Sequence, residues 1–294
     1  SLLKLSDEIN DLNLYMSSSS DSLIGRFKEI NNQASNISSC FMDMLQEQRE
    51  IDLSKLYKDT SDKDIDKITN GKVFKSVNYG EIDGDINVGG ISGLMAVEHD
   101  NDPEDDIVKA KSDLFNKRYE TKAVIHFCKN YGDIIAKKNY VGGIAGQFSI
   151  GFISKSENYG KIVSESGDYV GGISGKADSV IRGCFVKASL SARNYIGGIA
   201  GYGSCIENSY SMPQIEDYNS FCGAISGNDN GKLKGNYFVS NELAGMNMVS
   251  YKNKAEEIDY YKLLKRANLP KEFKKFYLTF RVDDKIIKKA KDYM

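Results

Sequence analysis

Apolar residues recur along the first fifty positions at intervals of three and four. Leu2, Leu5, Ile9, Leu12 and Met16 set the rhythm, and Leu23, Phe27, Ile30, Ala34, Ile37, Phe41 and Met44 resume it. Each run falls on one stripe of an amphipathic helix. Ser17–Ser20 separates the two runs. Either the helix passes through the serines with a four-residue stutter, or the chain bends there into a helical hairpin. The stripe needs a cover, supplied by self-association as a coiled coil or by the same chain. Residues 1–50 thus form a helical or coiled-coil segment. Residues 51–71 lose the period and read as a linker, with a short helix around Ile51–Tyr57.

From residue 72 the pattern changes. Short β-branched runs alternate with glycine and polar turns, the signature of strands. A phrase recurs five times, at Val88–Gly93, Val141–Gly146, Val170–Gly175, Ile196–Gly201 and Cys222–Gly227. Its first glycines lie 53, 29, 26 and 26 residues apart. A companion phrase, Asn-Tyr-Gly, occurs at Asn78, Asn130 and Asn158. A fixed period of this length marks a chain built by stacking units. The fold expected over 72–240 is mainly β, a parallel β-solenoid (β-helix) with one rung of about 26 residues per unit.

Stacking places equivalent residues in columns about 4.8 Å apart. Ser76, Cys128, Ser156, Cys184 and Ser209 form one column, a corner with room for small side chains. Cys128 and Cys184 are then two rungs apart, about 9–10 Å, too far for a disulfide. Asn78, Asn130 and Asn158 form a second column, whose amides can stack. The repeat glycines, Gly89, Gly90, Gly142, Gly143, Gly171, Gly172, Gly197, Gly198 and Gly223, are read as structural, serving a sharp bend or a close approach of rungs. Tyr140, Tyr169, Tyr195 and Phe221 precede the phrase and form an aromatic ladder. That ladder either binds a sugar or peptide or only stabilises the sheet.

The first interval is about two periods long, which implies an insertion at about 94–123. It carries a carboxylate run in which Asp100, Asp102, Asp105 and Asp106 are candidate Ca²⁺ ligands. The spacing departs from the calcium-loop pattern, so the competing reading is a solvated acidic loop opening a helix. No other cofactor is implied. Tyr237–Val239 reads as the last rung. Residues 241–294 read as a cap and the start of a following module. Within them Ala255–Ala267 is helical and covers the open end, and Phe276–Val282 turns toward Ile286 as a hairpin.

Composition narrows the function classes. Lys and Arg number 39 against 41 Asp and Glu, a balance that gives no pull toward nucleic acid or an anionic membrane. No apolar run approaches the roughly 20 residues of a membrane span. The chain opens inside a helical pattern without a signal peptide, which reads as a cut from a longer protein. Five cysteines are too few and odd in number for a disulfide scaffold. With only His99 and His126, there is no zinc-protease motif, and no Walker loop, nucleophile elbow or Cys-x-x-Cys pair appears. The enzymatic alternative is a polysaccharide lyase or hydrolase on a β-helix, but Asp168, Asp178 and Lys176 read as turn residues.

The five glycine phrases with their Asn-Tyr-Gly companions, over about Lys72–Ser240, resemble the GLUG motif of bacterial surface proteins. That motif occurs in the non-catalytic N-terminal regions of immunoglobulin A-specific metallopeptidases. The segment from Tyr251 through Leu269-Pro270 to Phe280 is similar to the junction after such repeats in large cell-wall proteins of Gram-positive gut bacteria. The helical start resembles their coiled-coil segments. The family's peptidase motif has no counterpart here, and the fifth phrase departs with Cys222 and Ala224. The resemblance implies an extracellular, cell-surface or cell-wall location and a non-enzymatic structural or adhesive module. Its implied partners are other domains of a larger protein, a glycan or a host protein.

Overall fold

The apolar stripe at the start lies on a single helix, α1 (Leu2–Arg49), about 72 Å long. It runs unbroken through Ser17–Ser20, so the chain does not bend at the serines. The Ser18 hydroxyl donates to the Tyr15 carbonyl at 3.1 Å. That bond back to the preceding turn seats a serine inside a helix. Along the described part of the stripe, Leu5, Ile9, Leu12, Leu23, Phe27 and Ile30 are all exposed.

The structure is a computed structural model, and it describes residues 2–49, 57–67, 69–96, 119–215, 218–240, 242–266 and 268–274. The chain divides into two units, Ser1–Leu56 and Tyr57–Met294. The second unit is a parallel β-solenoid, as the repeat predicts. Its strands are two to nine residues long and pair in register with the equivalent strand of the next rung. One five-stranded sheet stacks Ile82–Gly84, Ile134–Ala136, Ile162–Ser164, Ser189–Ser191 and Gln214–Ile215. A second stacks the glycine phrases, with Val88, Val141, Val170, Ile196 and Cys222 in one column. A seven-stranded sheet carries the Asn-Tyr-Gly strands. Every pairing between these strands is parallel.

The core is a set of columns. Ile134, Ile144, Ile153, Ile162, Ile173 and Ile181 are all fully buried. Each sits over its counterpart one rung away, which is why short β-branched residues recur there. The paired glycines work by close approach, because neither adopts a positive φ. A Cβ on Gly171 would come within 2.7 Å of the Ala200 Cα in the next rung. A Cβ on Gly143 would run into the Asn158 carboxamide.

Three expectations need correction. Residues 57–61 are not a linker. Tyr57–Asp59 forms a strand that pairs with Tyr119–Thr121, where the chain returns from the insertion. Asp59 Oδ2 accepts from the Gly151 amide at 2.7 Å and Ser61 Oγ accepts from the Ala123 amide at 2.9 Å. Next, Tyr237–Val239 is not the last rung, because Asn236–Phe238 pairs onward with Ala255–Glu257. The segment read as a helix from Ala255 therefore begins as a strand. Its helical part is α2 (Tyr260–Leu264), followed by α3 (Lys271–Lys274). Finally, these helices do not cover the open end. Leu263, Leu269 and Phe273 pack beside Met212 on the outer face of the seven-stranded sheet. Of the short helix expected around Ile51–Tyr57, Tyr57 instead opens a strand, while residues 51–56 and the hairpin from Phe276 lie outside the described residues.

Candidate functional site

The ladder forms as the spacing predicts. Tyr140, Tyr169, Tyr195 and Phe221 occupy the same corner of successive rungs, each with φ between 55° and 67°. Left-handed backbone at bulky residues is unfavourable, and neighbouring rungs hold it in place. The Tyr140 amide donates to the Asp168 carbonyl at 3.1 Å, and the Val141 amide to the Tyr169 carbonyl at 3.0 Å.

The rings stack on one another. Centroid separations are 5.2 Å for Tyr140–Tyr169, 4.5 Å for Tyr169–Tyr195 and 4.5 Å for Tyr195–Phe221, with interplanar angles of 27°, 11° and 3°. The internal faces are therefore occupied, and along its length the ladder offers ring edges and phenol hydroxyls. Burial, with the neighbouring tyrosines Tyr195 and Tyr140, raises the Tyr169 phenol above its ordinary value.

Beside the ladder, Asp168 takes a two-point bond from Arg193, Nε to Oδ1 and Nη2 to Oδ2, both at 3.2 Å. Asn194 Nδ2 donates to the same carboxylate at 3.0 Å. Asp178 pairs with Lys176 at 3.2 Å. Asp168 sits in a turn and ties two rungs together, whereas Lys176 and Asp178, read from the sequence as turn residues, lie on the strand Ser174–Arg182 and pair within one rung. A shallow groove between the bulged strands Ser174–Arg182, Ala200–Glu207 and Ser226–Lys234 contains Asp178, Cys205 and Lys232. Among the described residues Asp178 is the one carboxylate lining it, whereas glycoside hydrolysis generally needs two facing the scissile bond.

The other columns are structural too. Cys128 and Cys184 are buried, free thiols, and burial pushes the Cys184 thiol up to about 12. The Cys128 amide donates to Ser156 Oγ at 3.2 Å, one rung on. In the asparagine column Asn78 Nδ2 donates to Asn130 Oδ1, and Asn130 Nδ2 to Asn158 Oδ1, both at 2.8 Å. His126 is buried, with Nδ1 2.6 Å from Ser154 Oγ. Among the described residues no group of three or more His, Cys, Asp or Glu is arranged to hold a metal ion. The candidate Ca²⁺ ligands Asp100, Asp102, Asp105 and Asp106 lie outside the described residues.

Sequence reasoning missed a second aromatic face. On the seven-stranded sheet, Tyr79, Tyr131 and Tyr159 stack at 5.1 and 5.3 Å. Phe185, Tyr210 and Tyr237 stack at 5.5 and 5.8 Å, one column across. The C-terminal segment is seated on the latter. Phe273 meets Phe185 edge-on at 5.6 Å, and the Arg266 guanidinium lies 3.6 Å from the Tyr237 ring centre. A signal existed, since Tyr79, Tyr131 and Tyr159 belong to the recurring Asn-Tyr-Gly phrase and Phe185 and Tyr210 directly follow the small-residue column. No described helix is long and apolar enough to cross a membrane. The chain matches no model of a known protein family, no curated protein and no solved structure.

Proposed function

We propose that this chain is a non-enzymatic scaffold: a helical stalk, then a stiff β-solenoid that spaces or displays neighbouring domains and carries a polymer-binding face. On this reading it is part of a larger bacterial cell-surface protein, which the resemblance of its repeats to the GLUG motif supports. One observation carries the scaffold reading. The aromatic, asparagine and small-residue columns all spend their chemistry on rung-to-rung contacts, which makes the rod rigid. What remains outward along the ladder is a row of phenol edges, suited to a glycan, a wall polymer or a host protein met lengthwise.

A glycan and wall-polymer array, with a reducing-sugar assay on every binder, tests this. Binding without product is expected. Release of reducing ends would transfer the protein to the carbohydrate-active β-helix enzymes. The stalk is tested by size-exclusion with light scattering: pairing through the Leu5–Ile37 stripe gives a dimer, and a monomer removes the coiled coil.

A further inference from the structure

Each rung has a second left-handed corner, just before the small-residue column. Lys75, Phe127, Lys155, Gly183, Asn208 and Gly235 occupy it, with φ from 47° to 65°. In the first three rungs this corner is basic and aromatic. The ammonium groups of Lys72 and Lys75 stand 4.7 and 4.9 Å from the Phe74 ring centre, and Lys155 stands 5.0 Å from that of Phe127. Phe74 and Phe127 meet edge to face at 6.2 Å and are 47% and 39% exposed.

The three lysines differ from the ion-paired cations of the solenoid. Lys129, Lys138, Lys176, Arg182 and Arg193 each pair with a carboxylate. Among the described residues Lys72, Lys75 and Lys155 have no carboxylate partner, and Lys72 donates instead to the Ile65 carbonyl at 2.6 Å. Cation–π contact holds an ammonium in place without neutralising it, and an ammonium has three donors to offer. His126 senses the local excess: its pKa is lowered first by burial and then by Lys155 and Lys72, against an opposing effect of Asp66.

We propose that this corner binds a linear anionic polysaccharide laid along the rod, with sulfate or carboxylate groups on Lys72, Lys75 and Lys155 and the sugar against the edges of Phe74 and Phe127. Lys75 and Lys155 are two rungs apart, about 9–10 Å, so one extended chain reaches both. Single-stranded nucleic acid fits less well, because its bases need open aromatic faces. Here Phe74 is engaged by two ammoniums and by the stacked His126 ring, and Phe127 by Lys155. The inference uses a different edge from the Tyr140–Phe221 ladder and does not depend on the adhesive reading of that ladder.

The test is calorimetric titration of the full chain at low and high salt with three probes: a heparin oligosaccharide, a hyaluronan oligosaccharide and an oligothymidylate. At least one glycan is expected to bind, more weakly as salt rises, and the double variant K75E/K155E is expected to lose about tenfold or more of that affinity. The exposed pair Lys137 and Lys161 serves as control, since K137E/K161E changes net charge equally. Thermal melts that match wild type show that both variants fold. Equal losses in the two variants would reduce the effect to general charge attraction and overturn the proposal. So would tighter binding of the oligothymidylate, or no glycan binding at low salt.

Discussion

The first three rungs of the seven-stranded sheet and the rungs that follow share one backbone but use different side-chain codes. In the early rungs the inward position holds Asn78, Asn130 and Asn158, linked by amide hydrogen bonds and closing each turn onto the carbonyls of Gly80, Gly132 and Gly160. In the later rungs the same position holds Val186, Ser211 and Phe238. The outer face changes with it. Early on, Tyr79, Tyr131 and Tyr159 stack outside, and Tyr79 is 75% exposed. Later, that column becomes Lys187, Met212 and Val239, the aromatics move two residues upstream, and the C-terminal segment packs over them. A parallel rung thus accepts a polar or an apolar corner, provided each column agrees with itself.

The largest expected effect strikes both halves alike. Gly171→Val drives a side chain into the backbone of the next rung. A loss of about 4 kcal/mol or more is expected by chemical denaturation, and an unchanged midpoint would mean that rungs are not in close contact there.

Phe273→Ala strikes only the later half. Truncating a fully buried aromatic costs about 3 kcal/mol or more. Here it should free the C-terminal segment, seen as early proteolysis around residues 260–274 with protection of the strands retained. Simultaneous loss of the whole solenoid would show that the segment is part of the core.

Asn130→Ala strikes only the early half. It strips the Gly132 carbonyl and the Asn158 amide oxygen of a buried donor each, at about 2–3 kcal/mol. Asn78→Ala, at the exposed start of the same column, is expected to cost under about 1 kcal/mol. Equal costs would refute the ladder as a cooperative element.

The last effect is a slope with pH. Lys187 is 5% exposed and stands in the Met212 column. Burial lowers its ammonium from 10.5 to about 8. Between those values the unfolded chain binds the proton that the folded chain releases, so stability rises as pH climbs from about 8 toward 10.5. Lys187→Met repeats the residue of the next rung and removes that slope. The variant's melting temperature should exceed wild type below pH 8, and the gap should close above it. A constant gap would place the ammonium in water.

The columns inside one phrase were legible because their spacing is local and repeats. The glycine phrase, the Cys128–Cys184 separation and the Tyr140–Phe221 ladder all follow from register alone. What stayed hidden depends on contacts between segments far apart in sequence. The Tyr57–Asp59 strand pairs across sixty residues, and Ala255–Glu257 adds a strand that carries no repeat phrase. The direction of the aromatic faces was hidden as well: spacing says that rings align, but not that they stack face to face, as they do both at the left-handed corner of Tyr140–Phe221 and at Tyr79–Tyr159 without one.

Among the described residues, the hydrogen bonds between the stacked parallel strands run along the rod, since each joins a rung to its neighbour. Tension applied at the two ends of such a rod falls on one terminal rung at a time. Each rung that lets go frees about 26 residues, or roughly 85–90 Å of extended chain, in exchange for about 4.8 Å of rod. Pulled lengthwise, the stack is expected to yield in stages, rung by rung, with its longest step at the rung that carries the insertion.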